Sequence, residues 1–148
     1  MILYAECGKI LFNEINKAVY IHELIIGGSL PSVGALAYLG DSAHSLYVRR
    51  MLVGRGLSKS ADLNAAALEY VTAEAQAKMY EKIEGLLLED EREVFRRAFN
   101  STHLNKPKRA SGKDYRVATG FEAVIGMLYW IGDAERLQML LDEAHRSN

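Results

Sequence analysis

The sequence predicts an all-α protein, on three observations. Only two prolines, Pro31 and Pro107, interrupt the chain. Long segments repeat apolar residues every three or four positions, which is the spacing of one helix face, and runs of β-branched residues are few. We therefore expect a compact bundle of about six to seven helices in a single domain that spans residues 1–148.

Stop signals and capping residues place the first helices. A helix is expected over residues 9–26, where a pair of glycines ends it. Ser32 is the predicted N-cap of a second helix, because serine side chains accept hydrogen bonds from the first turn. This second helix should continue to Gly54 or Gly56.

Two further helices are expected in the middle of the chain. The first covers residues 61–84, where apolar residues recur four positions apart, and Gly85 ends it. The acidic run 89–91 begins the next helix, since the macrodipole favours acids in the first turn, and this helix ends near Asn100. We interpret the run as helix chemistry rather than as a metal site.

The C-terminal part of the sequence predicts a loop and two more helices. Residues 101–113 contain a proline and a glycine without apolar periodicity, so we expect an exposed loop. Asp114 is the predicted N-cap of a helix that carries the most apolar run in the chain, residues 121–130. Gly132 ends this helix, and Asp133 caps a last amphipathic one.

The chain has a single cysteine, Cys7, which excludes an internal disulfide and a zinc site of the finger type. No apolar run approaches the ~18 residues of a membrane span. The first residues, with Glu6 and Lys9, lack the layout of a signal peptide. We therefore expect a cytoplasmic protein without membrane contact.

Charge is unevenly distributed along the chain. Residues 96–116 carry seven basic residues and one acid, a net charge of +6, whereas the remainder of the chain carries −7. The candidate phosphate-binding residues are Lys106, Lys108, Arg109, Lys113 and Arg116. Such a cluster is either a solvated surface or a set of phosphate contacts, and A-form RNA is recognised largely through phosphates, 2′-hydroxyls and shape.

Two carboxylates, Asp41 and Glu122, lie in apolar or small surroundings beside glycines: Gly40, and Gly120 with Gly126. Glycine in a helix costs about 0.5 to 1 kcal/mol relative to alanine, so its use indicates close helix packing or a close ligand. One interpretation is that two helices cross and bring both carboxylates to one divalent-metal site. The alternative is a helix cap for Asp41 and an ordinary exposed residue for Glu122.

His44 lies three residues after Asp41, on the same face of the predicted helix. Its imidazole can support a metal ligand by a hydrogen bond, or act as a general acid or base. The alternative is a partly buried histidine that makes a single hydrogen bond. The sequence leaves these interpretations open.

Two segments, residues 35–41 (ALAYLGD) and residues 115–126 (YRVATGFEAVIG), occur in this order with the basic loop before the second. Together they resemble the ribonuclease III catalytic domain, and specifically the small Mini-III ribonucleases that lack a double-stranded-RNA-binding domain. The resemblance covers about residues 31–146. Residues 1–30 fall outside it and are interpreted as an extra N-terminal helix or part of a dimer contact.

This resemblance implies a two-fold homodimer that cleaves double-stranded RNA with Mg²⁺, for which Mn²⁺ can substitute, in the maturation of precursor ribosomal RNA. Asp41 matches the catalytic aspartate of the Leu-Gly-Asp motif, and Glu122 matches the catalytic glutamate of the Phe-Glu-Ala motif. Both would hold the metal. Two further acids of full-length ribonuclease III enzymes are replaced here, as in the small enzymes, by Ala37 and Thr119, and Thr119 would support the metal ligands indirectly.

The implied reaction is metal-assisted hydrolysis of a phosphodiester, which leaves 5′-phosphate products, with the basic residues gripping the RNA backbone. An alternative from another class is a non-catalytic helical RNA-binding or assembly protein in which a degraded ribonuclease III site survives. The two replaced acids keep this alternative open at the level of sequence.

Overall fold

The computed structural model describes residues 30–101 and 112–147. Within these ranges every regular element is helical, which confirms the all-α class. The six α-helices are α1 (Val33–Gly54), α2 (Ser60–Val71), α3 (Ala73–Ile83), α4 (Glu89–Phe99), α5 (Gly112–Trp130) and α6 (Ala134–Ala144). A short 3-10 helix, Glu84–Leu86, follows α3. The helix expected over residues 9–26 lies outside the described residues, as does most of the predicted loop.

Local capping sets two helix starts as predicted. The Ser32 hydroxyl accepts a hydrogen bond from the Ala35 N–H at 3.2 Å at the start of α1. The Asp133 carboxylate accepts one from the Arg136 N–H at 3.2 Å at the start of α6. Gly132, just before it, has a φ of 72°, which suits glycine far better than other residues.

Two predictions about helix ends are wrong. The single helix expected over residues 61–84 is two helices, α2 and α3, because Thr72 has extended backbone and its hydroxyl accepts the Ala75 N–H at 3.2 Å. Asp114 is not an N-cap, because α5 already includes Gly112 and places Asp114 inside its first turn. The macrodipole favours an acid at either position, so the sequence did not distinguish them.

Helix α5 runs through the centre of the bundle. It packs against α1, α3 and α4, and residues 118–121 and 123–128 are buried, which explains why its sequence is apolar on nearly all sides. Helix α6 packs on α3 and α5. No helix in the described ranges has the length and apolar character needed to cross a membrane.

Helices α1 and α5 come closest at two glycines. A Cβ atom on Gly40 would collide with the carbonyl oxygen of Glu122, and a Cβ on Gly126 would collide with the carbonyl oxygen of Leu36. The backbones therefore touch directly, and glycine is required on both sides of the contact. Close helix packing is one of the two reasons that the sequence suggested for these glycines.

We predict that Gly126→Ala lowers the free energy of unfolding by at least about 2 kcal/mol, because the added methyl group has no space at the α1–α5 contact. The matched control is Gly34→Ala in the first turn of α1, where a Cβ would meet nothing within 4 Å. The control should unfold at the same or slightly higher urea concentration than the wild type. Equal urea midpoints for the two variants would contradict the prediction.

Candidate active site

The α1–α5 contact places the two predicted carboxylates beside each other. Asp41 directly follows Gly40, and the backbone of Glu122 itself contacts Gly40. The two side chains interact, by a hydrogen bond and by charge repulsion. Asp41 is exposed and Glu122 is partly buried, so the pair opens to solvent on the Asp41 side.

Burial, followed by the negative charge of Asp41, raises the pKa of the Glu122 carboxyl to about 7. A hydrogen bond from Gln76 acts in the opposite direction and favours the ionised form. Two ionised carboxylates at this distance repel each other. Protonation of Glu122 near neutral pH relieves part of this repulsion.

The donor set of this pair fits a hard divalent cation. Within residues 30–101 and 112–147, no lysine or arginine forms an ion pair with either carboxylate. Both donors are carboxylate oxygens, the ligand type that Mg²⁺ prefers. The same ranges contain no group of three or more His, Cys, Asp or Glu side chains placed for a metal. Two protein ligands leave coordination positions for water and for phosphate oxygens.

Gln76 on α3 is a site residue that the sequence interpretation missed. Its side chain is 1% exposed, it hydrogen-bonds the Glu122 carboxylate, and its Nε2 lies 3.4 Å from His44 Nδ1. The sequence contained one usable indication: Gln76 lies three and seven residues before Met79 and Ile83, so it occupies the buried face of α3. A polar residue at such a position needs a partner.

His44 is fully buried, and its Nε2 lies 2.9 Å from the Nε2 of His145, the residue after α6. The ring also meets the edge of Phe121. Burial, with a smaller contribution from His145, lowers the pKa of His44 to about 3, so the ring is neutral at pH 7. His44 is therefore a buried histidine with two hydrogen-bond contacts, rather than an accessible acid or base.

Thr119 and Ala37, the two positions that the resemblance matched to further acids of full-length ribonuclease III enzymes, are both buried. The Thr119 hydroxyl donates a hydrogen bond to the Tyr115 carbonyl oxygen at 2.9 Å, one turn earlier in α5. Its hydrogen is thus used within its own helix. Ala37 belongs to the hydrophobic core.

Of the five predicted RNA-binding residues, the structure describes two, Lys113 and Arg116. Lys113 is exposed. Arg116 binds the end of α4: its Nε donates to the Phe99 carbonyl oxygen at 2.8 Å, its Nη2 lies 3.4 Å from Asn100 Oδ1, and its guanidinium lies 4.3 Å from the Phe99 ring centre. The remaining predicted RNA-binding residues lie outside the described ranges: Lys106, Lys108 and Arg109.

Comparison with known proteins gives consistent matches. A family model described as the ribonuclease III domain matches residues 34–133. A Mini-ribonuclease 3 of Symbiobacterium thermophilum is 43% identical over 109 residues, covering 74% of this chain and 84% of the relative. A Mini-ribonuclease 3 of Brevibacillus brevis is 39% identical over 122 residues, covering 82% of this chain and 91% of the relative.

Among solved structures, the crystal structure of protein FN1578 from Fusobacterium nucleatum superimposes with a TM-score of 0.68 at 29% sequence identity. The match covers 75% of this chain and 88% of that one. The helical arrangement described above is therefore shared with an experimentally determined protein.

Proposed function

Since this chain belongs to the ribonuclease III family and is an endoribonuclease, we propose that it cleaves double-stranded RNA at a Mg²⁺ site formed by Asp41 and Glu122. The observation that carries the proposal is the adjacency of these two carboxylates at the α1–α5 contact. The relatives named Mini-ribonuclease 3 support a small enzyme of this type.

In this proposal Asp41 and Glu122 hold Mg²⁺, and Mn²⁺ can replace it. When bound, the cation lowers the pKa of a coordinated water and stabilises charge on the leaving oxygen. Asp41 faces solvent, where a phosphodiester can approach, and Glu122 holds the inner side of the site. Attack by water on phosphorus leaves a 5′ phosphate and a 3′ hydroxyl. No side chain of the protein becomes covalently attached.

The proposed substrate is precursor ribosomal RNA, on the basis of the resemblance to the Mini-III ribonucleases. A cytoplasmic location follows from that substrate. Lys106, Lys108, Arg109, Lys113 and Arg116 are proposed to bind the RNA backbone. Arg116 Nε and Nη2 already contact the end of α4, so the rest of its guanidinium group is the part proposed to contact RNA.

We further propose a two-fold homodimer that pairs through α1. Tyr38, Leu46 and Val53 lie along one side of α1 and are 82%, 67% and 58% exposed. Large apolar side chains aligned on one helix indicate an interface, and a two-fold axis would present two cleavage sites to the two strands of one duplex.

We predict that the wild-type protein sediments as a dimer and that Leu46→Glu sediments as a monomer, because a charge would be buried in the α1 contact. The measurement is analytical ultracentrifugation at micromolar concentration. The control is Leu88→Glu, an exposed leucine outside α1, which should remain dimeric. A wild-type protein with the mass of one chain would contradict the dimer.

We predict that Asp41→Asn and Glu122→Gln each reduce cleavage of a long RNA duplex in Mg²⁺ by more than about 100-fold, since each removes an anionic metal ligand. Binding of the duplex in the absence of metal should stay within about threefold of wild type, because phosphate contacts dominate affinity. The control is Asp62→Asn, the same change at an exposed acid on α2. An Asp41→Asn protein that cleaves at the wild-type rate would overturn the site assignment.

We predict that replacing Lys106, Lys108 and Arg109 with alanine weakens duplex binding and lowers the slope of log affinity against log salt by roughly three, about one for each lost phosphate contact. Filter binding from 50 to 200 mM salt measures both quantities. The control is Lys59→Ala with Lys78→Ala, two exposed lysines on other elements. Unchanged affinity and slope in the triple variant would show that the RNA is held elsewhere.

A further inference from the structure

Gln76 stands at the inner wall of the proposed active site with two different polar neighbours. On one side is the Glu122 carboxylate, and on the other is His44 Nδ1 at 3.4 Å. Both Gln76 and His44 are almost completely buried, at 1% and 0% exposure. In such surroundings the donors and acceptors of the three side chains must match, because an unpaired polar group carries a large desolvation cost.

The structure places Gln76 Nε2 toward His44 Nδ1, and the two N–H groups of this amide then have one consistent assignment. One can donate to the ionised Glu122 carboxylate, which accepts only, and the other can donate to His44 Nδ1. His44 must then carry its proton on Nε2, from which it donates to His145 Nε2 at 2.9 Å. His145 in turn carries its proton on Nδ1, a buried atom without a hydrogen-bond partner among the described residues.

The opposite orientation of the amide conflicts with this tautomer. If the Gln76 carbonyl oxygen occupied the position of Nε2, it would face the Nδ1 lone pair of His44, and the contact would be favourable only if His44 carried its proton on Nδ1 instead. The histidine tautomer and the orientation of the glutamine amide are therefore coupled.

We propose that Gln76 is a positioning residue whose amide N–H holds the Glu122 carboxylate in place for the metal, and that His44 fixes the orientation of this amide. This inference rests on the proposed function, because it assigns a partner to one of the two proposed metal ligands. It also accounts for a buried glutamine and a buried histidine that the reaction itself does not use.

The need for such a partner follows from the composition of the site. Ala37 and Thr119 lie about one helical turn before Asp41 and Glu122, but alanine has no polar group and the Thr119 hydroxyl is directed to its own helix. Among the described residues, Gln76 is the one that supplies a hydrogen bond favouring the ionised Glu122 carboxylate. Hydrogen bonds to a metal-binding carboxylate from residues behind it commonly change metal affinity or activity by about 10- to 100-fold.

The first test compares Gln76→Leu with the wild type. Leucine has a similar volume and suits a buried helix face, so thermal unfolding without metal should show a folded protein. We expect Mn²⁺ affinity, measured by titration of the protein alone, to fall by about tenfold or more. We also expect kcat for a long RNA duplex to fall similarly, with KM within about twofold of wild type. Gln138→Leu, the same change at an exposed glutamine on α6, is the control and should change neither quantity.

A second pair of variants separates positioning from packing. In asparagine, the amide oxygen is attached to Cγ just as Nδ1 is in histidine, so His44→Asn keeps an acceptor toward Gln76, whereas His44→Leu removes it. Both variants lose the contact with His145. We expect His44→Asn to retain Mn²⁺ affinity within about threefold and His44→Leu to lose about tenfold, as Gln76→Leu does.

The outcomes distinguish this inference from the proposed function. If the wild type binds Mn²⁺ and Glu122→Gln does not, but Gln76→Leu and His44→Leu both bind with wild-type affinity, the positioning role is overturned and the metal site remains. If Glu122→Gln binds Mn²⁺ and cleaves RNA like the wild type, the proposed function fails and this inference fails with it. Equal losses in His44→Asn and His44→Leu would assign the effect to packing instead of amide orientation.

Discussion

The packing of α1 against α5 depends on backbone contact at Gly40 and Gly126. At this contact the distance between the helices is set by main-chain atoms, which cannot relax by changing rotamer as larger side chains do. Asp41 follows one of the contacting residues, and Glu122 contributes its own carbonyl oxygen to the contact. The carboxylate pair is therefore located by a contact between main-chain atoms, which would fix the spacing of the two ligands at the proposed metal site.

Two glutamates with little exposure, Glu91 and Glu122, have pKa values shifted in opposite directions. Glu91 accepts hydrogen bonds from Arg136 Nε and Nη2, both at 2.8 Å, and this pairing keeps its pKa below the ordinary value despite burial. Glu122 lies beside Asp41, and no arginine within the described ranges forms an ion pair with it. Its pKa is raised to about 7. Between pH 4.5, the ordinary pKa of a glutamate, and about pH 7, the folded chain retains a proton on Glu122 that the unfolded chain has released. The contribution of Glu122 to the free energy of unfolding therefore falls as pH rises through this range. The first glutamate joins two helices, and the second carries a cost that a bound cation would remove.

The features that could be predicted from sequence are those fixed by local chemistry. Ser32 and Asp133 cap helices because their side chains reach the next turn, and this depends on a few adjacent residues only. The break at Thr72 could not be predicted, because the apolar repeat continues on both sides and threonine is also tolerated inside helices. The role of Gln76 depends on α1 and α5, which are distant in sequence, so its partners become visible only in three dimensions. Charge counts also could not show that the Arg116 guanidinium contacts the end of α4, because this contact depends on how the two helices pack.

The contact between Arg116 and Phe99 joins the two chain ends that border residues 102–111. Both partners of this contact lie in the described helices, so it fixes the end of α4 against the second turn of α5 without using the residues between them. The α1–α5 glycine contact is likewise made by helix backbone alone. In evolutionary terms, a change in the number of residues between α4 and α5 would leave both contacts, and the two carboxylates beside the second one, as they are.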